Sequence, residues 1–420
     1  MTPLEGIIRE LIAAEGPMSV ERYMALALGH PVHGYYATRD PFGVAGDFTT
    51  APEISQMFGE LVGLWAAEVW SAMGRPDRVR LVELGPGRGT LMSDALRAAR
   101  VLPGFLEAID VHLVETSPAL RAVQARTMGS AQLRVEWHMR LDEVPPGPAI
   151  VLANEFFDAL PVRQFVRAQD GWRERLVGLG DDARLVFGLA PEAVRAPPRL
   201  SFRTERSGDP EPTTELRSQA VCSGFSPSAS PGMTCGGASQ NSPQGEKGSP
   251  GDVLEIGQAA LEIVTELAGR LSTEGGAALI VDYGHIRSGF GDTLQAVRAH
   301  AYADPLADPG EADLTAHVDF AALSRAAARA GVAVHGPVPQ GAFLRALGID
   351  ARAERLKRKA APETASAVDA ALARLTGCGE HGMGALFKAI GLSHPSLRAL
   401  PGLPFAEPEP ARAGELEPAC

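Results

Sequence analysis

The sequence predicts an α/β protein: a doubly wound parallel sheet, preceded by a helical region and extended by a β-hairpin. Three observations point there. Short apolar runs, VRLVEL (79–84), DVHLVE (110–115), AIVLANE (149–155) and AALIVDYG (277–284), recur along the chain, the last two ending in polar or acidic residues. Runs of that length with little polar alternation belong to strands covered on both faces. Amphipathic segments alternate with them, as helices packed on both sides of a parallel sheet require. A glycine-rich turn joins the first run to its helix, at the strand ends where open α/β sheets bind ligands.

Taken in order, residues 1–75 read as helices around one long loop. Ile7, Ile8, Leu11 and Ile12 sit at helical spacing, as do Met57, Leu61, Leu64 and Trp65. Between them lies HGYYATRDPFGVAGDFTTAPEIS, and a loop that long inside a compact region is functional or mobile. Residues 76–200 hold the first part of the α/β core. There TLMSDALRAAR follows the GPGRG turn as a helix, SPALRAVQART follows the second strand, and VRQFVRAQDGWRERLVGL (162–179) alternates around a polar turn as a hairpin. In 201–250, 27 of 50 residues are Gly, Pro, Ser or Thr and 10 are apolar, too few to offset the entropy of ordering, so the segment reads as a disordered insertion. The core resumes over 251–395. DVLEIGQAALEIVTELAGRL (252–271) reads as a helix and FAALSRAAARA (320–330) as a core-facing one, and 396–420 reads as a flexible tail, loose from Pro401.

The formal net charge of −12 disfavours a phosphate backbone as partner, so no nucleic-acid role is expected, although a basic peptide fits. Cys222, Cys235, Cys378 and Cys420 form no C-x-x-C pair, which signals neither a disulfide scaffold nor a thiolate metal site. Glu5, Glu10 and Glu15 are foreign to a secretory signal or a mitochondrial presequence, and no apolar run reaches 18 residues. A cytoplasmic protein without a membrane span is the expectation.

The most informative string is Glu83-Leu84-Gly85-Pro86-Gly87-Arg88-Gly89-Thr90. A nicotinamide-binding G-x-G-x-x-G would need its third glycine at position 90, which is Thr90. The order here is G-x-G-x-G with an acid two residues before the first glycine, the pattern of sites for S-adenosyl-L-methionine. Gly85, Gly87 and Gly89 let a ligand approach the main chain closely, and Glu115 at the end of the next strand can accept both ribose hydroxyls. A plain βα turn with a solvated Glu83 is the alternative.

The blocks GYYATRDPFGVAGDFTTAPEISQMFGELVGLW, VELGPGRGTLMSDALR, HLVETSPALRAVQ, ANEFFDALPVRQF, LIVDYGH, GDTLQAVRAHAYADPL, PGEADLTAHVDFAAL and GMGALFKAI occur in order over most of residues 1–392. Together they resemble the MidA family of S-adenosyl-L-methionine-dependent methyltransferases; the 201–250 segment is not part of the family pattern. The resemblance implies a class I methyltransferase fold with a seven-stranded sheet. It also implies methylation of protein arginine in a respiratory complex I subunit during assembly. Relatives in eukaryotes are mitochondrial matrix proteins, and a bacterial cytoplasmic version is expected here. By the same resemblance, the segment carrying Gly46, Asp47, Phe48 and Thr49 folds over the cofactor, with Thr49 or Thr50 facing its carboxylate end; a structural glycine turn with Phe48 in the core is the alternative, and Asn154 is a further candidate for cofactor binding.

A guanidinium nucleophile needs carboxylates that hold its charge and orient one nitrogen. Glu155 and Asp158 follow the fourth strand three residues apart, which would put both on one side of a helical turn as a clamp. Asp158 as a helix cap or a partner of a structural Arg is the alternative. Asp282 ends the next strand, and His285 could take the released proton or be a satisfied structural histidine. His317 and Asp319 invite a similar reading, but H-x-D is too short for a metal site and none is expected. Two other functions remain open: a non-catalytic S-adenosyl-L-methionine-binding assembly factor, and a small-molecule methyltransferase.

Overall fold

The computed structural model describes residues 1–38, 49–129, 134–194, 248–379 and 382–405. Its centre is a sheet with strands β1 (Val79–Leu84), β2 (Ile109–Val114), β3 (Val135–His138), β4 (Ala149–Asn154), β5 (Gly276–His285), β6 (Ala333–Pro339) and β7 (Phe387–Ser393). They lie side by side in the order β6-β7-β5-β4-β1-β2-β3, and the two-residue strand Val318–Asp319 also pairs with β5. The first five are mutually parallel, whereas β7 runs antiparallel to both β5 and β6. After β3 the chain returns to the other side of β1, so the switch point falls between β1 and β4. Register pairs Leu84 with Val114 and Ala153, and Asn154 with Val281, which aligns the carboxyl ends of four strands.

Alternation along each strand feeds two cores. Leu81, Ile150, Leu152 and Leu279 pack toward the helices Gln56–Ala72 and Thr90–Ala99. Val82, Val151, Ala153 and Ile280 pack against Gln258–Glu274 and Phe320–Arg329 on the opposite face. The expected core-facing role of the second of these helices is met by Phe320, Leu323, Ala326 and Ala327, all buried. A helical extension (Gln340–Ala346, Ile349–Lys357, Pro362–Thr376) joins the first face. There buried Glu60 accepts both Arg352 nitrogens (2.6 and 2.9 Å) and Arg97 (2.7 Å).

The N-terminal helices Pro3–Glu15 and Val20–Gly29 build a third core from Leu4, Ile8, Tyr23 and Met24 against Val162 and Val177 of the hairpin. That hairpin, Arg163–Ala168 and Gly171–Leu179, leaves the main sheet as expected and gains Leu185–Leu189, Met18–Ser19 and Val253–Ile256 to make five strands. The last of these corrects the helix expected from residue 252. Val253–Ile256 pairs with Val166–Arg163, Gly257 breaks the backbone, and the helix starts only at Gln258. An open hairpin edge takes a strand that helical periodicity alone could not distinguish. A three-stranded unit, Gln295–Arg298, Ala301–Ala303 and Asp313–Thr315, stands over the carboxyl end of β5.

The insertion read at 201–250 falls outside the described residues up to position 247. The tail expected to be loose from Pro401 instead stays packed through Leu403, which is buried with Leu397 and Leu400, and the Pro404 carbonyl accepts the Gly336 N–H. Among the described residues no helix is long and apolar enough to cross a membrane.

Candidate active site

A cavity of about 1600 Å³ opens at the carboxyl ends of β1, β2, β4 and β5. Gly85 and Gly87 line it with φ of +62° and +53°, the left-handed region that a side chain makes costly. At Gly85 a Cβ would also stand 2.8 Å from the Phe156 ring, so the main chain itself forms the wall. Gly89 serves differently: it precedes the helix Thr90–Ala99 and does not reach the cavity.

Glu115 lines the cavity one strand over, its carboxylate held by the Ser117 N–H (2.8 Å) and the Gln124 amide (3.1 Å). Gln124 also donates to the Gly87 carbonyl (2.8 Å) and accepts the Trp137 indole N–H (2.9 Å). One fully buried side chain therefore fixes the turn and the acid relative to each other. Glu83 lies beneath the turn, outside the wall. Burial, and then the charge of Glu115, pushes its carboxyl up to about 8.

The loop after β4 is the second half of the site. Glu155 and Asp158 both line the cavity, but no helical turn carries them. The expected clamp geometry is replaced by an irregular turn fastened from below. Buried Asp282 accepts the N–H groups of Phe156 (3.1 Å), Phe157 (2.8 Å) and Asp158 (3.3 Å) on one oxygen and that of Tyr283 (2.9 Å) on the other. It is a positioning group and forms no part of the wall. Glu155 occupies the left-handed region at φ +51° and accepts the Ala51 N–H (2.9 Å) and the Asn154 amide (3.1 Å). It thereby tethers the short helix Ala51–Ile54 to the core, with Thr49, Thr50 and Glu53 lining the cavity beside it. Asn154 acts through that tether, outside the wall; Gly46 lies outside the described residues.

Asp158 is 6% exposed, and its Oδ1 has no hydrogen-bond partner among the described residues. Burial, then Asp313, raises its carboxyl to about 7, and burial raises that of Glu155 to about 7 as well. These shifts have a consequence for stability. Glu83, Glu155 and Asp158 keep their protons in the folded state well above their ordinary values of 4.5, 4.5 and 3.8. Between those values and about 8 the folded chain binds more protons than the unfolded one, so stability is lost as pH rises. The urea unfolding midpoint of the cofactor-free chain is expected to be lower at pH 8.5 than at pH 6; a rise over that interval would contradict the assignment.

His285 is not brought to the cavity; its Nδ1 lies 2.7 Å from the Arg287 carbonyl. His317 and Asp319 serve separately. His317 packs edge-on against Tyr283, with burial lowering it to about 4, and Asp319 caps the helix after it through the Ala322 N–H (2.9 Å).

The structure adds Tyr36, Gln295 and Asp313, which sequence reasoning missed, and gives a place to Tyr283, which the sequence puts at the strand end beside Asp282. Tyr36, Tyr283, Gln295 and Asp313 line the cavity, with the Tyr36 hydroxyl donating to Asp313 (3.0 Å) and Gln295 donating to the Tyr283 hydroxyl (2.9 Å). Tyr36 carried a signal in the GYYAT block and Tyr283 in its strand-end position. Asp313 carried none, since nothing local distinguishes it from its acidic neighbour Glu311.

Residues 61–338 match the family model described as an S-adenosyl-L-methionine-dependent methyltransferase. The chain is 39% identical over 366 residues to the zebrafish (Danio rerio) protein arginine methyltransferase NDUFAF7, mitochondrial, covering 82% of this chain and 76% of the relative. To the human (Homo sapiens) protein of the same name it is 36% identical over 383 residues, 86% and 76% of the two chains. A crystal structure of a COG1565 superfamily member from Burkholderia thailandensis, bound to S-adenosyl-homocysteine, superposes with a TM-score of 0.73 at 29% identity, over 95% of this chain and 93% of that one. The bare-backbone turn at Gly85 and Gly87 and the Glu115 carboxylate at the end of β2 fit the methionyl and ribose parts of that cofactor type. Its cofactor is S-adenosyl-L-methionine, and the chain belongs to the MidA-type family of S-adenosyl-L-methionine-dependent methyltransferases.

Proposed function

We propose that this enzyme methylates arginine in a protein substrate, with a respiratory complex I subunit as the substrate that its MidA motifs imply. The observation that carries the reading is the acidity of the cavity wall: seven Asp and Glu residues line it, Glu155 and Asp158 among them with carboxyls raised to about 7, against two arginines, Arg140 and Arg374. Such a wall attracts a cation and repels an anionic acceptor. The names of the zebrafish and human relatives, as protein arginine methyltransferases, agree with it.

When bound, the cofactor supplies an electrophilic methyl group on a sulfonium. The chain's own task is to align a nitrogen with that methyl group and exclude water. Asp158 lines the cavity and in its ionised form would accept an N–H of the entering guanidinium and orient it. Methylation of the guanidinium would require the accepting nitrogen to give up one proton. Asp158, whose carboxyl burial raises to about 7, is the cavity-lining acid we assign to take it. Glu155 holds the Ala51–Ile54 segment in place beside this point.

Asp158→Asn is expected to lower methyl transfer at least about 100-fold while changing S-adenosyl-L-methionine affinity less than about threefold. Tritiated methyl incorporation into isolated complex I subunits, with methylarginine identified by mass spectrometry, measures the first, and calorimetric titration the second. Labelled methyl on free small acceptors and none on protein would replace the reading by a small-molecule methyltransferase.

A further inference from the structure

Among the described residues, one cluster of metal-ligating donor atoms lies outside the catalytic cavity. His112 on β2 stands opposite Glu136 on β3, and His138 follows two residues later, so all three side chains share one face of the sheet. A nitrogen from each histidine and a carboxylate oxygen lie within 4.8 Å of one another, and His112 Nδ1 is 2.9 Å from His138 Nε2. We propose that His112, Glu136 and His138 bind a divalent transition ion of the zinc class.

The donor set is two imidazoles and one carboxylate, hard-to-borderline ligands that suit zinc and its first-row neighbours better than calcium or magnesium. Two imidazole nitrogens on a tetrahedral zinc ion stand about 3.3 Å apart, so the pair has to open by only about 0.4 Å. The proton shared between the rings shifts to the outer nitrogen of the donor ring, and none is released. Glu136 is paired with Arg134 at 2.8 Å, but the Arg134 side chain is 77% exposed and can turn to solvent. The fourth position is left to water, the pattern of a site with three protein ligands.

The placement gives such an ion a structural consequence. The His138 carbonyl accepts the Glu115 N–H (3.0 Å), and Met139, Arg140 and Leu141, which follow directly, line the cofactor cavity. An ion joining β2 to β3 here would brace the wall from which Glu115 projects.

The test uses the full chain, stripped with chelator and dialysed against zinc, with metal counted per chain. One zinc per chain is expected, together with at least about tenfold weaker binding in Glu136→Gln and in His138→Asn. Both positions are only half-buried, and the metal-free unfolding midpoint of each variant checks that it folds. Cobalt in place of zinc in the unmodified chain should give the visible absorption of a four-coordinate ion, a readout that needs no variant. Absence of stoichiometric uptake, or uptake unchanged in both variants, would overturn the site.

Discussion

A Gly85→Val chain is expected to fold and yet bind S-adenosyl-L-methionine at least about 100-fold more weakly. Two penalties combine at this residue. Its φ of +62° costs any L side chain about 1–2 kcal/mol, and a β-branched one more. The added Cβ would also lie 2.8 Å from the Phe156 ring, on the wall that the cofactor must approach. Relief would require moving the turn or Phe156, and either motion deforms the binding surface. The turn is peripheral to both main cores, whose residues come from strand interiors and helix faces, so the fold should survive. Calorimetric titration with a circular-dichroism control decides it. Affinity within threefold of the parent would show that the cofactor does not lie against this turn.

Asp282→Ala should destabilise the chain by about 3–5 kcal/mol, the range for leaving several buried donors without their acceptor. Four backbone N–H groups converge on this fully buried carboxyl. Burial, and then Asp158 and Glu155, raise it well above the usual carboxylate range. Asp282→Asn keeps one acceptor oxygen for the Phe156, Phe157 and Asp158 N–H groups and loses the one for Tyr283, so it should cost less than Asp282→Ala; equal losses would show that the carboxyl does not act as an acceptor. Urea unfolding of both variants separates these outcomes. Because Asp282 shapes the turn that presents Asp158, the Ala variant should also lose methyl transfer even where it remains folded.

Much of the frame was legible locally. Each of the first, second, fourth and fifth strands announces itself as a short apolar run with an acid or amide at or near its end (Glu83, Glu115, Asn154, Asp282), because a buried strand must finish where water or ligand begins. The turn Gly85–Gly89 was readable for the same reason: positive φ selects glycine at single positions. Val253–Ile256 was not readable, since its residues fit the helix that follows and only the neighbouring hairpin edge makes them a strand. Gln124 was equally silent. Its role depends on Gly87, Glu115 and Trp137 meeting it from three other segments.

The carboxylates at the strand ends show where the boundary falls. By itself the sequence determined the cofactor class, the family and the set of acids gathered at one edge of the sheet, because turn geometry, strand length and motif order are local properties. Only the tertiary structure decided what each acid does. Glu115 and Asp158 face the cavity, Glu155 also tethers a distant helix, Glu83 sits beneath the turn and Asp282 caps a loop from below. These residues are of one chemical kind at similar places along their strands. What divides their roles is burial and the direction of backbone N–H groups from elsewhere in the chain, which exist only once the layers have packed.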